Sequence, residues 1–149
     1  MKNKRNLIIY IAVVILAVFL FSACSSALNE AANLQAYDFG ADQIPTVNYI
    51  VGTRTVTNVE TSTSPEALQK QYTYRSDSEF EDLLNYTIYL RYENGWIVTQ
   101  EYDLNDVPGT AQLAKNSVDA GKILILSIAY ESGAYAIKIT KADGTIDIN

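Results

Sequence analysis

Reactive side chains are scarce in this chain, and the scarcity narrows the chemistry open to it. There is no histidine among its 149 residues, which excludes a Ser-His-Asp triad, a Cys-His pair and imidazole ligation of a metal within it. Cys24 carries the only thiol, so the residues after it can form no disulfide among themselves. Seven glycines are scattered at turn-like positions and build no phosphate-binding loop. Carboxylates remain. Asp103, Asn105 and Asp106 lie together in YDLNDVPG, where clustered oxygens could hold calcium weakly. They lack the glycine and further ligands of an EF-hand, and solvated loop acids are the simpler account. Glu79, Glu81 and Asp82 could share acid–base work, but a helix N-terminus explains them fully, because its dipole favours anions in the first turn. No metal and no other cofactor is expected.

Tyrosine is the one excess, with eleven residues. Its ring gives large contact area and its hydroxyl a polar tip, which suits recognition surfaces. An antiparallel sheet with one wet face uses it equally well. Two of the eleven, Tyr89 and Tyr92, fall away from the apolar stripe of a helix expected over 79–92, and they are the candidates for contact with a partner.

The setting of Cys24 is specific. MKNKRN is a short basic segment, residues 7–21 are an unbroken apolar run, and Ser22 and Ala23 are small. This is the grammar of a signal peptide, and the run is shorter than the ~20 residues a spanning helix needs. Phe21, Ser22, Ala23 and Cys24 resemble the lipobox of bacterial lipoproteins, with Phe21 standing where that family prefers leucine. The resemblance covers only the first 24 or so residues. It implies a signal peptide over 1–23 recognised through Phe21, Ser22 and Ala23, a diacylglyceryl group on the Cys24 sulfur, and cleavage before Cys24. The mature chain would then be held at the cell membrane on its extracytoplasmic face, its partner there being the membrane itself. An uncleaved anchor and an ordinary secretory signal are the alternatives. Lipidation would consume a thiol that is otherwise left over, and two acyl chains hold a protein stably where one is marginal.

Charge divides the chain in the same place. The net charge is −6; removing residues 1–23 takes away Lys2, Lys4 and Arg5 and leaves eight basic against seventeen acidic side chains, a net of −9. Such a domain is a poor match for nucleic acid, whose phosphates reward lysine and arginine. Residues 24–45 are small and polar and end at Pro45, and they read as the lipidated cysteine followed by a mostly flexible tether with a reach of about 25 Å. Asp38-Phe39-Gly40 spells the magnesium motif of kinases, but nothing else of that family is present.

Residues 46–149 must supply the elements that position these groups, and they read as one α+β domain. TVNYIVG alternates Val47, Tyr49 and Val51 as a strand does. TRTVTNVETST is rich in β-branched residues. SPEALQKQYTYRS suggests one helical turn and then a strand. SDSEFEDLLNYTIYLRYENGW admits two readings. As a helix over about 79–92, it has a Ser76/Glu79 capping box, a stripe of Phe80, Leu83, Leu84, Thr87 and Leu90, an opposite face of Glu81, Asp82 and Asn85, and Gly95 as its stop. As a hairpin, it turns at Asn94-Gly95. The helix accounts for acids, cap and stripe together. Trp96, Val98 and Tyr102 then alternate, AQLAKNSVDAG fits either helix or strand, and KILILSIAY is apolar enough for a central strand covered on both faces. AYAIKITK points Tyr135, Ile137 and Ile139 inward against Lys138 and Thr140, and TIDIN is a frayed end.

The expected fold is therefore an antiparallel β-sheet with one main helix packed on one face. The Y-x-Y, YL and GW elements are similar to those of small extracytoplasmic lipoprotein domains of unknown function. Anchor, tether and missing catalytic groups together point to a non-enzymatic binding or accessory domain, with an envelope protein or polymer as its partner. An envelope structural protein without a specific ligand, and an enzyme or enzyme-inhibitor module built on carboxylates and tyrosine, are the other readings.

Overall fold

The structure is a computed structural model and describes residues 26–102 and 107–147. Its order is a helix α1 whose described residues are 26–32, a hairpin of β1 (Ala36–Phe39) and β2 (Asp42–Pro45), a short helix α2 (Val47–Val51), strands β3 (Thr55–Thr63) and β4 (Ala67–Arg75), the main helix α3 (Glu79–Glu93), and strands β5 (Ile97–Gln100), β6 (Gly109–Asn116), β7 (Lys122–Glu131) and β8 (Ala134–Asp143). Strands β3 to β8 form one antiparallel sheet in the order β3-β4-β8-β7-β6-β5. This is the α+β architecture expected, with α3 against one face. No helix of the described residues is long and apolar enough to cross a membrane.

The ambiguous segment is the helix. Asn94-Gly95 ends it instead of turning a hairpin: Gly95 takes φ +68°, and the Asn94 and Trp96 N–H groups both donate to the Leu90 carbonyl. Glycine enters that left-handed region without the Cβ penalty. The buried face of α3 is rotated from the expected stripe. It consists of Asp82, Leu83, Tyr86, Thr87 and Leu90, while Phe80, Leu84 and Ile88 are exposed. Asp82, expected to face solvent, is 1% exposed. The expected capping box is absent too. Ser78 is the N-cap, with no side-chain cap bond, and Ser76 bonds to Asp82 instead.

Residues 36–45, expected as part of a flexible tether, form a hairpin whose Tyr37, Phe39 and Ile44 lie in the core. Asp38 and Phe39 end β1 and the chain turns at Gly40-Ala41, where the Gly40 N–H donates to the Asp38 carboxylate. Burying three large side chains gains roughly 1.5–3 kcal/mol each, which a short polar-looking stretch does not advertise. Residues 46–51, expected as a strand, are helix α2. The Thr46 hydroxyl accepts from the Tyr49 N–H at 3.2 Å, and Val47, Ile50 and Val51 meet the core at helical spacing. The turn of helix expected before QYTYR is instead the two-residue loop Pro65-Glu66 of a hairpin, flanked by the Ser64 N–H bond to the Ala67 carbonyl at 2.8 Å and the Ala67 N–H bond to the Ser64 hydroxyl at 3.1 Å. AQLAKN is strand β6. The segment around Ile146, expected to fray, is held by Asn116, which exchanges two bonds with the Ile146 backbone.

Strand β7 is central, as expected, but covered on one face only. Leu124, Leu126, Ile128 and Tyr130 are buried, while Ile123, Ile125 and Ser127 are half-buried and Ala129 is exposed. The sheet thus has a covered face and an open one.

Candidate functional site

On the covered face, β4 contributes Tyr72 and Tyr74, and β8 contributes Tyr135, Ile137 and Ile139. Opposite them lie Leu83, Tyr86 and Leu90 of α3, with Tyr37 of β1 beside them. The tyrosine excess is mostly a core. Its hydroxyls find partners, as buried phenols must: Tyr37 and Tyr74 share a bond of 2.5 Å, Tyr86 donates to the Pro45 carbonyl at 3.0 Å, and Tyr102 and Thr87 share one of 2.6 Å. Desolvation pushes the Tyr37, Tyr74, Tyr86, Tyr102 and Tyr135 hydroxyls well up from their ordinary value, so they stay protonated.

Two carboxylates are buried there, and both are committed. Asp82 accepts both arms of Arg54 (2.7 and 2.6 Å), Ser76 at 2.6 Å and Tyr135 at 3.2 Å. Burial alone would raise its pKa; the bonds from Arg54 and Ser76 outweigh burial and hold it below the ordinary carboxylate value. Asp42 is likewise desolvated, and Lys141, Ser117 and the Val118 N–H likewise lower it on balance. Lys141 also bonds to Asp119 and the Phe39 carbonyl, so this cluster clips the hairpin to β8. Carboxylates held in this way serve the fold, although Asp42 also borders a shallow depression beside Trp96 and Lys115.

The open face carries three adjoining depressions. One depression of about 440 Å³ lies between Pro108–Thr110, Ala129, Glu131, Ala134 and Ala136. It shares Thr110, Ala129 and Ala136 with a second of about 320 Å³. That one shares Gln71 and Lys138 with a third of about 340 Å³, which reaches Glu60 and Ser62 on β3. Together they make a trough running obliquely across the strands. Alternation places Gln69, Gln71 and Thr73 of β4, Thr110 and Gln112 of β6, Ser127 of β7 and Lys138 of β8 on this one face. Registers Gln71↔Lys138, Ser127↔Lys138 and Gln112↔Ser127 set them side by side. The amides are oriented by neighbours: Gln112 donates to Ser127 at 3.4 Å and accepts from Thr99 at 3.2 Å, and Gln100 donates to Thr110 at 2.9 Å. Each glutamine keeps spare donor and acceptor capacity.

The candidates read from sequence fall elsewhere. Phe21, Ser22, Ala23 and Cys24, and Asp103, Asn105 and Asp106, lie outside the described residues. Tyr92 is 71% exposed on α3 with Arg91 over its ring, and Tyr89 is half-buried. Tyr92 extends an outer ridge of Phe80, Leu84 and Ile88 at four-residue spacing. The trough glutamines were legible only as the polar phase of alternating strands, a signal that marks a wet face without marking a site.

Searches against protein-family models, curated proteins and solved structures find no match to this chain.

Proposed function

We propose that this chain is a lipid-anchored, extracytoplasmic binding module without catalytic activity, and that its open sheet face holds an elongated, uncharged polymer bearing hydroxyl and amide groups, as an envelope polysaccharide does. The carrying observation is the trough. In a domain of strongly negative charge, its walls are mostly glutamine, threonine, serine and alanine over adjoining depressions, with Lys138 at the centre and Glu131 and Glu60 toward the ends, a surface of mixed sign that can exchange hydrogen bonds without favouring a charged ligand. The match of residues 21–24 to a lipobox supports the anchor, and the committed state of Asp42 and Asp82 supports the absence of catalysis. With α1 already helical at residue 26, a domain moored through Cys24 would sit close to the headgroups.

Full-length protein extracted from membranes in mild detergent should co-sediment with purified insoluble envelope polysaccharide. Gln71→Glu combined with Gln112→Glu should weaken this by tenfold or more, about what losing two net hydrogen bonds costs. Undiminished binding removes the trough from the account. A palmitate analogue should label the native chain and not Cys24→Ala; an unlabelled native chain with its leader intact removes the anchor.

The ridge of Phe80, Leu84, Ile88 and Tyr92 favours a second reading, a protein partner on α3. Glu81 and Glu93 flank the ridge, so the fitting occupant is an apolar groove edged by lysine or arginine on a neighbouring membrane protein. A photoreactive group at Ile88 should capture one defined protein, and Leu84→Glu should abolish the adduct; capture insensitive to that change refutes a specific dock.

A further inference from the structure

The two edges of the six-stranded sheet are unlike. Edge strand β5 has four residues and a register irregularity between Val98 and Gln100, both of which blunt an edge against pairing. Edge strand β3 has nine residues, and all of 57–63 are exposed. It contains no lysine and no proline, its one charge is Glu60, and its other residues are threonine, valine, serine and asparagine. Among the described residues, nothing lies along its outer side in the ladder.

The direction of its free groups follows from the turn. The Ser64 N–H donates to the Ala67 carbonyl, and hydrogen-bonded pairs alternate along an antiparallel ladder. Ser62 and Glu60 therefore bond to β4, while Val59, Thr61 and Thr63 direct their N–H and C=O groups outward. The bulge between Val56 and Asn58 limits the regular outward edge to 59–63.

We infer that β3 pairs antiparallel with β3 of a second copy of this chain, about a two-fold axis at Thr61. That register sets Thr61 opposite Thr61, Val59 opposite Thr63 and Glu60 opposite Ser62. The register centred one residue earlier opposes Glu60 to Glu60 in a close pair, and the one centred on Val59 runs into the bulge. A two-fold normal to the sheet puts both open faces on the same side. The trough already reaches β3 at Glu60 and Ser62, so it would continue onto the partner. The contact is small, and confinement of both copies to one membrane would favour it by raising their effective concentration. This last point rests on the proposed anchor; the pairing itself does not.

The test uses the full-length chain with Thr61→Cys and a short bis-thiol reagent, read as dimer on gels from both membrane and soluble fractions, so a failed anchor cannot conceal a pair. The native chain gives the background from Cys24. Thr61→Cys should cross-link well above that background, and Val118→Cys, exposed elsewhere at 69%, should not. Adding Val59→Pro removes an outward N–H and leaves the β4 ladder intact; it should abolish the dimer with the thermal midpoint little changed. Should that variant not fold, Ser62→Glu sets a second carboxylate against Glu60 in both halves of the pair, and should cut the yield about tenfold, with partial recovery at high salt. Equal yields at Thr61 and Val118, or a yield indifferent to Ser62→Glu, overturn the pairing.

Discussion

The two faces of one sheet are built from the same strands and obey opposite rules. On the covered face, Tyr74 and Tyr135 stack with ring centroids 5.3 Å apart, phenol hydroxyls pair with each other, and a carboxylate that would be intolerable alone is held by Arg54, Ser76 and Tyr135. On the open face, one residue along each strand, the side chains are Gln71, Gln112, Ser127 and Lys138, polar groups with spare capacity. The difference teaches where polar atoms hold a fold together. When they are dry, every bond is fixed and every loss leaves an orphan. When they are wet, water replaces any loss, and the group is free to exchange water for a ligand.

The sharpest way to break the comparison is Asp82→Ala. It removes the acceptor of three side chains and takes the partner from the buried Ser76 and Tyr135 hydroxyls, while Arg54, 27% exposed, keeps access to water. The cost should therefore reach at most that of breaking a fully buried pair from one side, about 3–5 kcal/mol, still a large fraction of the stability of a domain this size. Urea denaturation should show the midpoint falling accordingly; a loss under about 1 kcal/mol would mean the network contributes no more than an ordinary hydrogen bond. Acid should reach the same network from another direction. Asp82 and Asp42 have folded pKa values depressed below the ordinary value of 3.8. Their contribution is therefore fully present above about pH 4 and is lost as the pH falls through the folded values. Stability should be flat from about pH 7 to about 5 and drop steeply below about 4, and Asp82→Ala should make that drop shallower. An unchanged slope in the variant would show that Asp82 is not among the groups that titrate on unfolding.

Much of the covered face was legible in the sequence, and the reasons are local. AYAIKITK alternates cleanly because Tyr135, Ile137 and Ile139 all enter one core, and α3 announces itself through Glu79, Glu81 and Gly95. The rotation of α3 was not legible, since Leu84 and Ile88 out-rank Asp82 and Tyr86 on any apolar scale. What buries Asp82 is Arg54, 28 residues away in sequence, and a one-dimensional pattern cannot carry that pairing. The hairpin at 36–45 was hidden for a related reason. Its apolar residues are few, and they are buried by α3 and β4, which come later in the chain. Val47, Tyr49 and Val51 fit period two as well as Val47, Ile50 and Val51 fit a helix, and the Thr46 cap decides. The open-face trough was the least legible, because glutamine and threonine at alternate positions look the same whether they meet water or a ligand.

The smallest stability effect is the one that tests the open face most directly. The Gln71→Glu and Gln112→Glu pair removes the Gln112 bond to Ser127, which is long at 3.4 Å, and adds charge at two half-buried positions of the wet face, with residue 71 between Lys138 and Glu60. Surface substitutions away from caps and cores lie within about ±0.5 kcal/mol, a surface ion pair returns little, and the new like-charge pair with Glu60 costs a similarly small amount. The doubly substituted chain should thus melt within a few degrees of the native protein even where its retention on polymer collapses. That dissociation separates the two faces, because no substitution at Asp82 can lose a contact without also loosening the fold. If the two glutamines instead cost about 2 kcal/mol or more, well beyond that surface range, they belong to the scaffold as Asp82 does, and the distinction between a dry structural face and a wet binding face would fail at the residues chosen to embody it.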